Sequence, residues 1–298
     1  MTPPAASSRR AFQAQRRAQG GNPSPSRAGR NLPAAIGVGV GLGALVIATL
    51  VIWKPAFLIL VTAAIVLGAV EMIGALAQGR IHVPYVPTLL GTALIVPVAY
   101  YAGPEGLVLG FVLASIGILL WRAVDGLEGA LKDVAGGVFV LTYLPVMAGI
   151  AMLMLAAEDG VGRILTFAIV TVVSDIGGYA VGVVAGRHPM APSISPKKSW
   201  EGFAGSVSSC LVAGALTVPL LLDGPVWAGL LLGACVACFA TMGDLSESTI
   251  KRDLGIKDMG NLLPGHGGVM DRLDSLLVTA PVCWLLLGVL VPVVTVHG

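Results

Sequence analysis

The chain has 298 residues, of which 56% are hydrophobic and only 11% are charged, and its mean hydropathy is +0.88. A soluble domain carries about a quarter charged residues, so lipid must be the solvent for most of this chain. The formal net charge of +2 conceals an uneven distribution of charge along the sequence. This composition excludes an ordinary soluble enzyme, and we expect no nucleic-acid partner.

The first 33 residues differ from everything that follows. They contain six arginines and no acidic residue among Pro, Ser, Gly and Gln, and such a composition cannot bury a core. We expect residues 1–33 to be a disordered basic tail, with a cleaved transit peptide as the alternative. No short apolar segment with a small-residue cleavage site precedes the first long apolar run, so we predict no secretory signal.

Nine apolar runs follow the tail. Most have about the ~20 residues needed to cross a bilayer, and a backbone in hydrocarbon must be helical to satisfy its own hydrogen bonds. The sequence therefore predicts an all-α polytopic membrane protein with about nine transmembrane helices, in one domain over residues 34–298. The runs lie near residues 34–52, 55–77, 85–102, 105–121, 134–156, 163–186, 203–222, 225–242 and 273–296.

Positive charge gives an independent check on this number of spans. With the tail in the cytosol and sides alternating, 16 of the 18 Lys and Arg residues fall inside, and only Lys54 and Arg163 fall outside. The positive-inside rule produces such an imbalance. We predict a cytosolic N-terminus, an outside C-terminus and cytosolic loops 122–133, 187–202 and 243–272. Because these are the long connections, an active site would face the cytosol of a bacterial inner membrane.

The last of these loops has the highest density of chemically active side chains. Asp244, Glu247, Ser248 and Lys251 recur at i, i+3, i+4 and i+7, one face of a helix leaving the eighth span. Glycines in Pro264–Gly268 let backbone N–H groups approach a ligand, and the ninth helix begins just after them with its positive end. Carboxylates beside cations and a glycine loop indicate a site for Mg²⁺ and phosphate. A solvated amphipathic loop is the alternative.

A second candidate segment lies just before the seventh span. Residues Ser195–Gly202 read SPKKSWEG. The adjacent Lys197 and Lys198 would suit a triphosphate or a lipid phosphate. Juxtamembrane lysines also anchor proteins to anionic headgroups, so the sequence leaves both interpretations open.

Two acidic residues lie within apolar runs. Asp175 is deep in the sixth span, where a carboxylate is costly enough to indicate function; a protonated Asp bonded to a neighbouring helix is the alternative. Gly178, Gly182 and Gly186 continue its face and would let a helix carrying Asp244 or Asp271 approach closely. Glu71, near the cytosolic end of the second span, is either a site residue or a side chain wet enough to stay charged.

Residues 248–274 form an ordered pattern of charged residues, glycines and one proline. The members are Ser248, Lys251, Arg252, Lys257, Asp258, Gly260, Pro264, His266, Gly267, Gly268, Asp271, Arg272 and Asp274. This pattern resembles the signature of phosphatidate cytidylyltransferases without a departure over its 27 positions. The segment Ser195–Gly202 is similar to the S-P-K-K-[ST]-x-E-G segment of that family, and Asp175 lies where the family carries an intramembrane Asp. The resemblance covers roughly residues 55–298.

The resemblance implies transfer of the cytidylyl group of CTP to phosphatidic acid, giving CDP-diacylglycerol and pyrophosphate for phospholipid synthesis. A lipid phosphate is already nucleophilic at neutral pH, so the site must mainly offset repulsion between two polyanions. We expect Mg²⁺ as cofactor, with a second cation left open, and CTP, phosphatidic acid and membrane lipid as partners, with a homodimer also left open. A CTP-dependent polyprenol or dolichol kinase and a membrane transporter are the alternatives.

Roles are assigned to these residues on the same basis. His266 would either donate a hydrogen bond to pyrophosphate or brace its loop. The expected catalytic residues are Asp244, Asp271, Lys251, Arg252 and His266. The expected metal ligands are Asp175, Asp244, Asp271 and Asp274. The expected substrate-binding residues are Ser195, Lys197, Lys198, Ser248, Lys257, Gly267, Gly268 and Arg272.

Overall fold

Helices dominate the computed structural model, which describes residues 32–126, 128–260 and 268–292. The helices are α1 (Leu32–Ile52), α2 (Lys54–Gln78), α3 (Tyr85–Asp125), α4 (Ala130–Leu141), α5 (Met147–Ala156), α6 (Gly160–Ala185), α7 (Trp200–Leu222), α8 (Val226–Asp253) and α9 (Met270–Leu290). A π-helical segment, Thr142–Val146, joins α4 to α5 and contains Pro145, which has no backbone N–H to donate.

One small sheet interrupts this helical architecture. Strands β1 (Pro189–Ala191) and β2 (Ser195–Ser199) pair antiparallel, with Pro189 opposite Ser199 and Ala191 opposite Ser195. The prediction of an all-α protein is therefore correct for the spans and wrong for loop 187–202, where polar residues pair as a hairpin.

The predicted class of multi-pass helical membrane protein is confirmed. Seven helical segments in the described part of the chain are long and apolar enough to cross a membrane, counting Ala130–Ala156 as one. Large apolar side chains point outward from them, such as Val184 and Leu131, which are 88% and 85% exposed. Such side chains are suited to lipid rather than to water as their solvent.

Helix α3 consists of two antiparallel legs. Gly103 has φ 69° and ψ −160°, a conformation that L side chains rarely adopt, and Pro104 follows it. The legs pack closely, since a Cβ built on Gly110 would lie 3.3 Å from the Ile95 side chain. This turn coincides with the predicted boundary between the third and fourth spans.

The contacts within the chain divide it into two compact units. One unit ends at Gly43, and the other, Ala44–Gly298, contains every candidate site residue. Helix α1 begins at Leu32, so most of the predicted tail lies outside the described residues. Its disorder stays a prediction.

The helices extend beyond the predicted spans. Helix α3 continues to Asp125, so only a short connection remains of loop 122–133. Helix α8 continues to Asp253, so residues 243–253 of loop 243–272 are helical. Hydropathy marks only the apolar part of a helix, whereas its hydrogen bonding continues into the polar residues beyond. The predicted face of Asp244, Glu247 and Lys251 accordingly lies on a single helix, α8.

The two basic residues predicted to lie outside both bond to helix ends. The Lys54 ammonium donates to the carbonyls of Leu155 and Ala157, each at 3.2 Å, where α5 ends. The buried Arg163 guanidinium donates to the Val291 carbonyl at 2.6 Å, just after α9. Cations stabilise the negative ends of helices, so these residues have a local structural role.

Glycine allows α7 and α8 to pack with their backbones in contact. A Cβ added at Gly229 of α8 would collide with the carbonyl group of Gly214 on α7, and one at Gly214 would collide with that of Gly229. By contrast, a Cβ at Gly74 of α2 would meet nothing within 4 Å. The first position therefore requires glycine for packing, and the second does not.

We predict that Gly229→Ala destabilises the protein by roughly 1–3 kcal/mol, the usual cost of overpacking, because the added methyl forces α7 and α8 apart. Gly74→Ala is the matched control and should leave the thermal midpoint in detergent unchanged or slightly raised, since alanine favours helix. Equal midpoints for the two variants would contradict the described α7–α8 contact.

Candidate active site

A pocket of about 480 Å³ opens between α6, α7, α8 and the β1–β2 hairpin. Its volume lies in the range of small-molecule sites. Polar and apolar groups line it together. The lining residues include Asp175, Tyr179 and Val183 of α6, Lys197 and Lys198 of β2, and Asp244 of α8.

Three carboxylates from three helices converge on the hydroxyl of Ser275. This hydroxyl donates to Asp244 Oδ1 at 2.6 Å, and it lies 3.5 Å from Asp175 Oδ1 and 3.5 Å from Asp274 Oδ1. A hydroxyl has one proton, so Ser275 can satisfy only one of these oxygens at a time. The carboxylates repel one another, and the arrangement therefore favours a cation.

The Lys198 ammonium supplies one positive charge at this cluster. It pairs with Asp244 Oδ2 and lies 3.5 Å from the Thr241 carbonyl. Both partners lie on α8, whereas Lys198 lies on β2. The hairpin therefore brings a cation to the carboxylates from a different segment. No residue of α6 within a turn of Asp175 is a cation.

Glu201, in the first turn of α7, fastens the base of this hairpin. Its Oε2 accepts hydrogen bonds from the backbone N–H groups of Arg187 and His188, at 3.1 and 3.2 Å, and its Oε1 lies 2.5 Å from His188 Nδ1. The Ser199 hydroxyl caps α7 by accepting from the Gly202 N–H at 3.1 Å. These bonds fix the path of the strand that carries both candidate lysines.

A second cluster of charges lies at the start of α9. The Lys251 ammonium bridges Asp271 Oδ1 at 2.8 Å and Glu247 Oε2 at 3.1 Å. Asp271 Oδ2 also accepts from the Gly268 N–H at 2.9 Å. Asp271 and Asp274, one helical turn apart, therefore have different main partners, although the Glu247 carboxyl also interacts with Asp274.

Glu71 of α2 reaches this second cluster. Only 6% of the residue is exposed, and its Oε2 accepts from the Met270 N–H at 2.9 Å. Within the described residues its Oε1 has no hydrogen-bond partner. The interpretation of Glu71 as a side chain wet enough to stay charged is therefore wrong.

The remaining candidates lie around these clusters. Arg252 is exposed and donates from Nε to the Ile194 carbonyl at 3.3 Å, which connects α8 to the hairpin turn. Ser195 and Ser248 are half-buried, and Lys257 and Arg272 are exposed. His266 and Gly267 lie outside the described residues, so their predicted roles stay predictions.

The glycine face of α6 packs against a different helix from the one expected. Gly178 and Gly182 face α7, where a Cβ at Gly202 would lie 3.0 Å from the Gly178 carbonyl. We expected this face to admit helices carrying Asp244 or Asp271. The small residues of α6 instead bring α7 close.

The arrangement suits a divalent cation in its donor chemistry but is not a closed metal site. Within residues 32–126, 128–260 and 268–292, no group of three or more His, Cys, Asp or Glu side chains is disposed to hold a metal ion. Carboxylate oxygens are nevertheless what Mg²⁺ prefers, and Mg²⁺ characteristically binds one or two carboxylates together with substrate phosphates. Asp175, Asp244 and Asp274 fit that mode.

Sequence reasoning missed several residues of these clusters. Ser275 looks like one more small polar residue in an apolar helix, and Glu247 was noted only as part of a helix face. Glu201 was visible in the SPKKSWEG segment without a role. For Glu247 and Ser275 the available signal was their spacing from Asp244 on α8 and from Asp271 on α9. The contact of Glu71 with Met270 spans 199 positions and had no such signal.

Comparisons with known proteins agree with these features. Residues 33–290 match the Cytidylyltransferase family. A phosphatidate cytidylyltransferase of Mycobacterium leprae is 41% identical over 280 residues, covering 89% of this chain and 90% of that protein. Its counterpart in Mycobacterium tuberculosis H37Rv is 40% identical over 278 residues, covering 89% and 85%. A phosphatidate cytidylyltransferase of Synechocystis is 43% identical over 132 residues, 44% of each chain.

We predict that Glu201→Ala releases the hairpin, because the Arg187 and His188 N–H groups lose their acceptor. Limited trypsin digestion in detergent should then cleave after Lys197 or Lys198 at least ~10-fold faster, since protease attack follows local opening and 1.4 kcal/mol corresponds to a factor of 10. Glu128→Ala, in the connection before α4, is the control. Equal cleavage rates in wild type and Glu201→Ala would contradict the anchoring role.

Proposed function

Because this chain belongs to the Cytidylyltransferase family, among the phosphatidate cytidylyltransferases, we propose that CTP and phosphatidic acid react in the pocket beside Asp244. The enzyme transfers the cytidylyl group of CTP to phosphatidic acid, giving CDP-diacylglycerol and pyrophosphate. One observation carries the proposed location: cations, carboxylates and lipid-facing apolar residues meet in one cavity of about 480 Å³.

The reaction needs charge management more than proton transfer. An oxygen of the phosphatidate phosphate forms a bond to the α-phosphorus of CTP, and the bond from that phosphorus to the bridging oxygen breaks as pyrophosphate leaves. The attacking and leaving groups are both anions. Positive groups fixed around them lower the barrier because they oppose the repulsion and the charge that develops on pyrophosphate.

Lys197, Lys198, Lys251 and Arg252 are the proposed phosphate-binding residues. An ammonium has three N–H donors. In the described part of the chain, Lys198 uses two of these toward Asp244 and Thr241, and Lys251 uses two toward Glu247 and Asp271. Each lysine therefore retains a donor for a phosphate oxygen, while its carboxylate partners keep the ammonium in place.

Mg²⁺ is the proposed cofactor. Asp175, Asp244 and Asp274 would hold it near Ser275, and Asp271, which pairs with Lys251, stays the fourth predicted ligand. When bound, the ion supplies positive charge that stabilises the phosphates and the leaving pyrophosphate. The Ser275 hydroxyl donates a hydrogen bond to Asp244 Oδ1 and thereby orients that carboxylate.

The pocket also suits a substrate whose tails stay in lipid. Tyr179 and Val183 line it from α6 and are 75% and 67% exposed, so its wall continues into the lipid-facing surface of that helix. Asp175 is exposed to the same pocket in the middle of α6. A phosphatidate headgroup could therefore reach the cations from the membrane without its acyl chains entering water.

We propose nine spans, with a cytosolic N-terminus, an outside C-terminus and the pocket facing the cytosol of a bacterial inner membrane. Counting the two legs of α3 separately and adding α1, which has 21 residues, raises the seven candidate spans to nine. The helix-end bonds of Lys54 and Arg163 support this orientation, because they account for the two exceptions to the positive-inside pattern. A homodimer remains an expectation.

We predict that Asp175→Asn lowers the rate of CDP-diacylglycerol formation at least ~10-fold, because Asn keeps the shape of the side chain but loses its charge for the cation. Turnover should be measured with purified protein in detergent over a Mg²⁺ titration. Asp125→Asn, an exposed residue at the end of α3, is the control. Wild-type turnover and Mg²⁺ dependence in Asp175→Asn would leave a protonated, purely structural Asp175 as the better description.

A further inference from the structure

The first turn of α9 has no cap from its own sequence. Val269 precedes the helix, has no side-chain oxygen and makes no capping hydrogen bond. The first N–H groups of a helix need acceptors. Here Met270 donates to Glu71 Oε2 at 2.9 Å and Gly268 donates to Asp271 Oδ2 at 2.9 Å. A carboxylate from α2, 199 positions away, therefore caps the helix that carries Asp271 and Asp274.

The same carboxylate lies where the two described ends of the 261–267 segment meet. A Cβ built on Gly268 would be 2.7 Å from Glu71 Oε2 and 2.9 Å from the Gly260 nitrogen. A Cβ built on Gly260 would collide with the Glu71 carboxyl group itself. Both glycines thus pack directly against Glu71, and neither position has room for a side chain.

The burial of Glu71 is costly, and its hydrogen bond to Met270 does not account for all of it. Only 6% of the residue is exposed, and its Oε1 has no hydrogen-bond partner within the described residues. An unsatisfied buried polar atom costs about 1–3 kcal/mol, and more when charged. Such a group in a native structure calls for a specific explanation.

We propose that Glu71 is a positioning residue that fixes the start of α9, and through it Asp271 and Lys251, in the geometry that the cytidylyl transfer requires. This inference rests on the proposed roles of Asp271 and Lys251. Glu71 contacts the backbone of Met270, Gly260 and Gly268 rather than the reacting groups.

The first test compares Glu71→Ala with Glu71→Gln in purified protein. Glu71→Ala should lower kcat/KM for CTP by ~100-fold, as expected for a displacement of about 1 Å at the site, while KM for phosphatidic acid changes little. Glu71→Gln retains the acceptor for Met270 and should recover most of that loss. Glu105→Ala, an exposed residue between the legs of α3, is the control.

The second test uses the contact with Gly260. Gly260→Ala should by itself lower kcat/KM for CTP by ~10-fold, because the methyl displaces the Glu71 carboxyl. In the Glu71→Ala background the same change should have almost no further effect, since residues in direct contact are not additive. Gly260→Ala in a Glu71→Ser background carries the test if Glu71→Ala does not insert, because Ser also removes the atoms that the new methyl would meet.

Three results would overturn the inference. Glu71→Ala with wild-type kcat and KM would remove any role for Glu71. Glu71→Gln as inactive as Glu71→Ala would show that charge, and not positioning, is required. Independent, multiplicative effects of Gly260→Ala and Glu71→Ala would show that the described contact does not matter. If wild-type protein forms no CDP-diacylglycerol in the same assay, the proposed function fails instead.

Discussion

The repulsion among Asp175, Asp244 and Asp274 is the constraint on which the rest of this structure depends. Their carboxylates approach one hydroxyl, that of Ser275, inside a bundle of apolar helices. Like charges held so close together are stable only when cations or bonded donors offset them. Lys198 provides one such cation from the β1–β2 hairpin, and the open pocket gives access to water and to charged ligands.

Several features outside the pocket serve this arrangement. Small residues bring α6, α7 and α8 close enough for their polar side chains to meet. Glu201 holds the base of the hairpin, and Lys251 connects the end of α8 to the start of α9 through Glu247 and Asp271. The site is thus built by polar side chains that each tie two segments together, on a scaffold held by apolar packing.

Much of the fold follows from local sequence properties. Apolar length and charge asymmetry predicted the membrane class, and Gly103-Pro104 lies between two predicted spans because the backbone turns there. The cost of a carboxylate in hydrocarbon marked Asp175, which lines the pocket between α6, α7 and α8. These properties belong to single residues or short windows, and a sequence displays them directly.

Other features depend on which helices become neighbours. The cap that Glu71 gives to Met270 joins residues 199 positions apart, and the α7 partner of the α6 glycine face was not the one expected. That Asp271 pairs with Lys251, whereas Asp274 meets Asp175 and Asp244 around Ser275, depends on how α6, α8 and α9 pack. Helical spacing gives a common face to residues three apart, but it does not say which partners that face will meet.

We propose above all that the carboxylates around Ser275 hold a divalent cation together with substrate phosphate. The most direct measurement is the loss of the free Mn²⁺ electron paramagnetic resonance signal on titrating Mn²⁺ into purified protein with CTP. Wild type should bind Mn²⁺ competitively with Mg²⁺, and Asp244→Asn should weaken that binding at least ~10-fold, because a carboxylate ligand is lost. Unchanged Mn²⁺ affinity in Asp244→Asn would contradict the account.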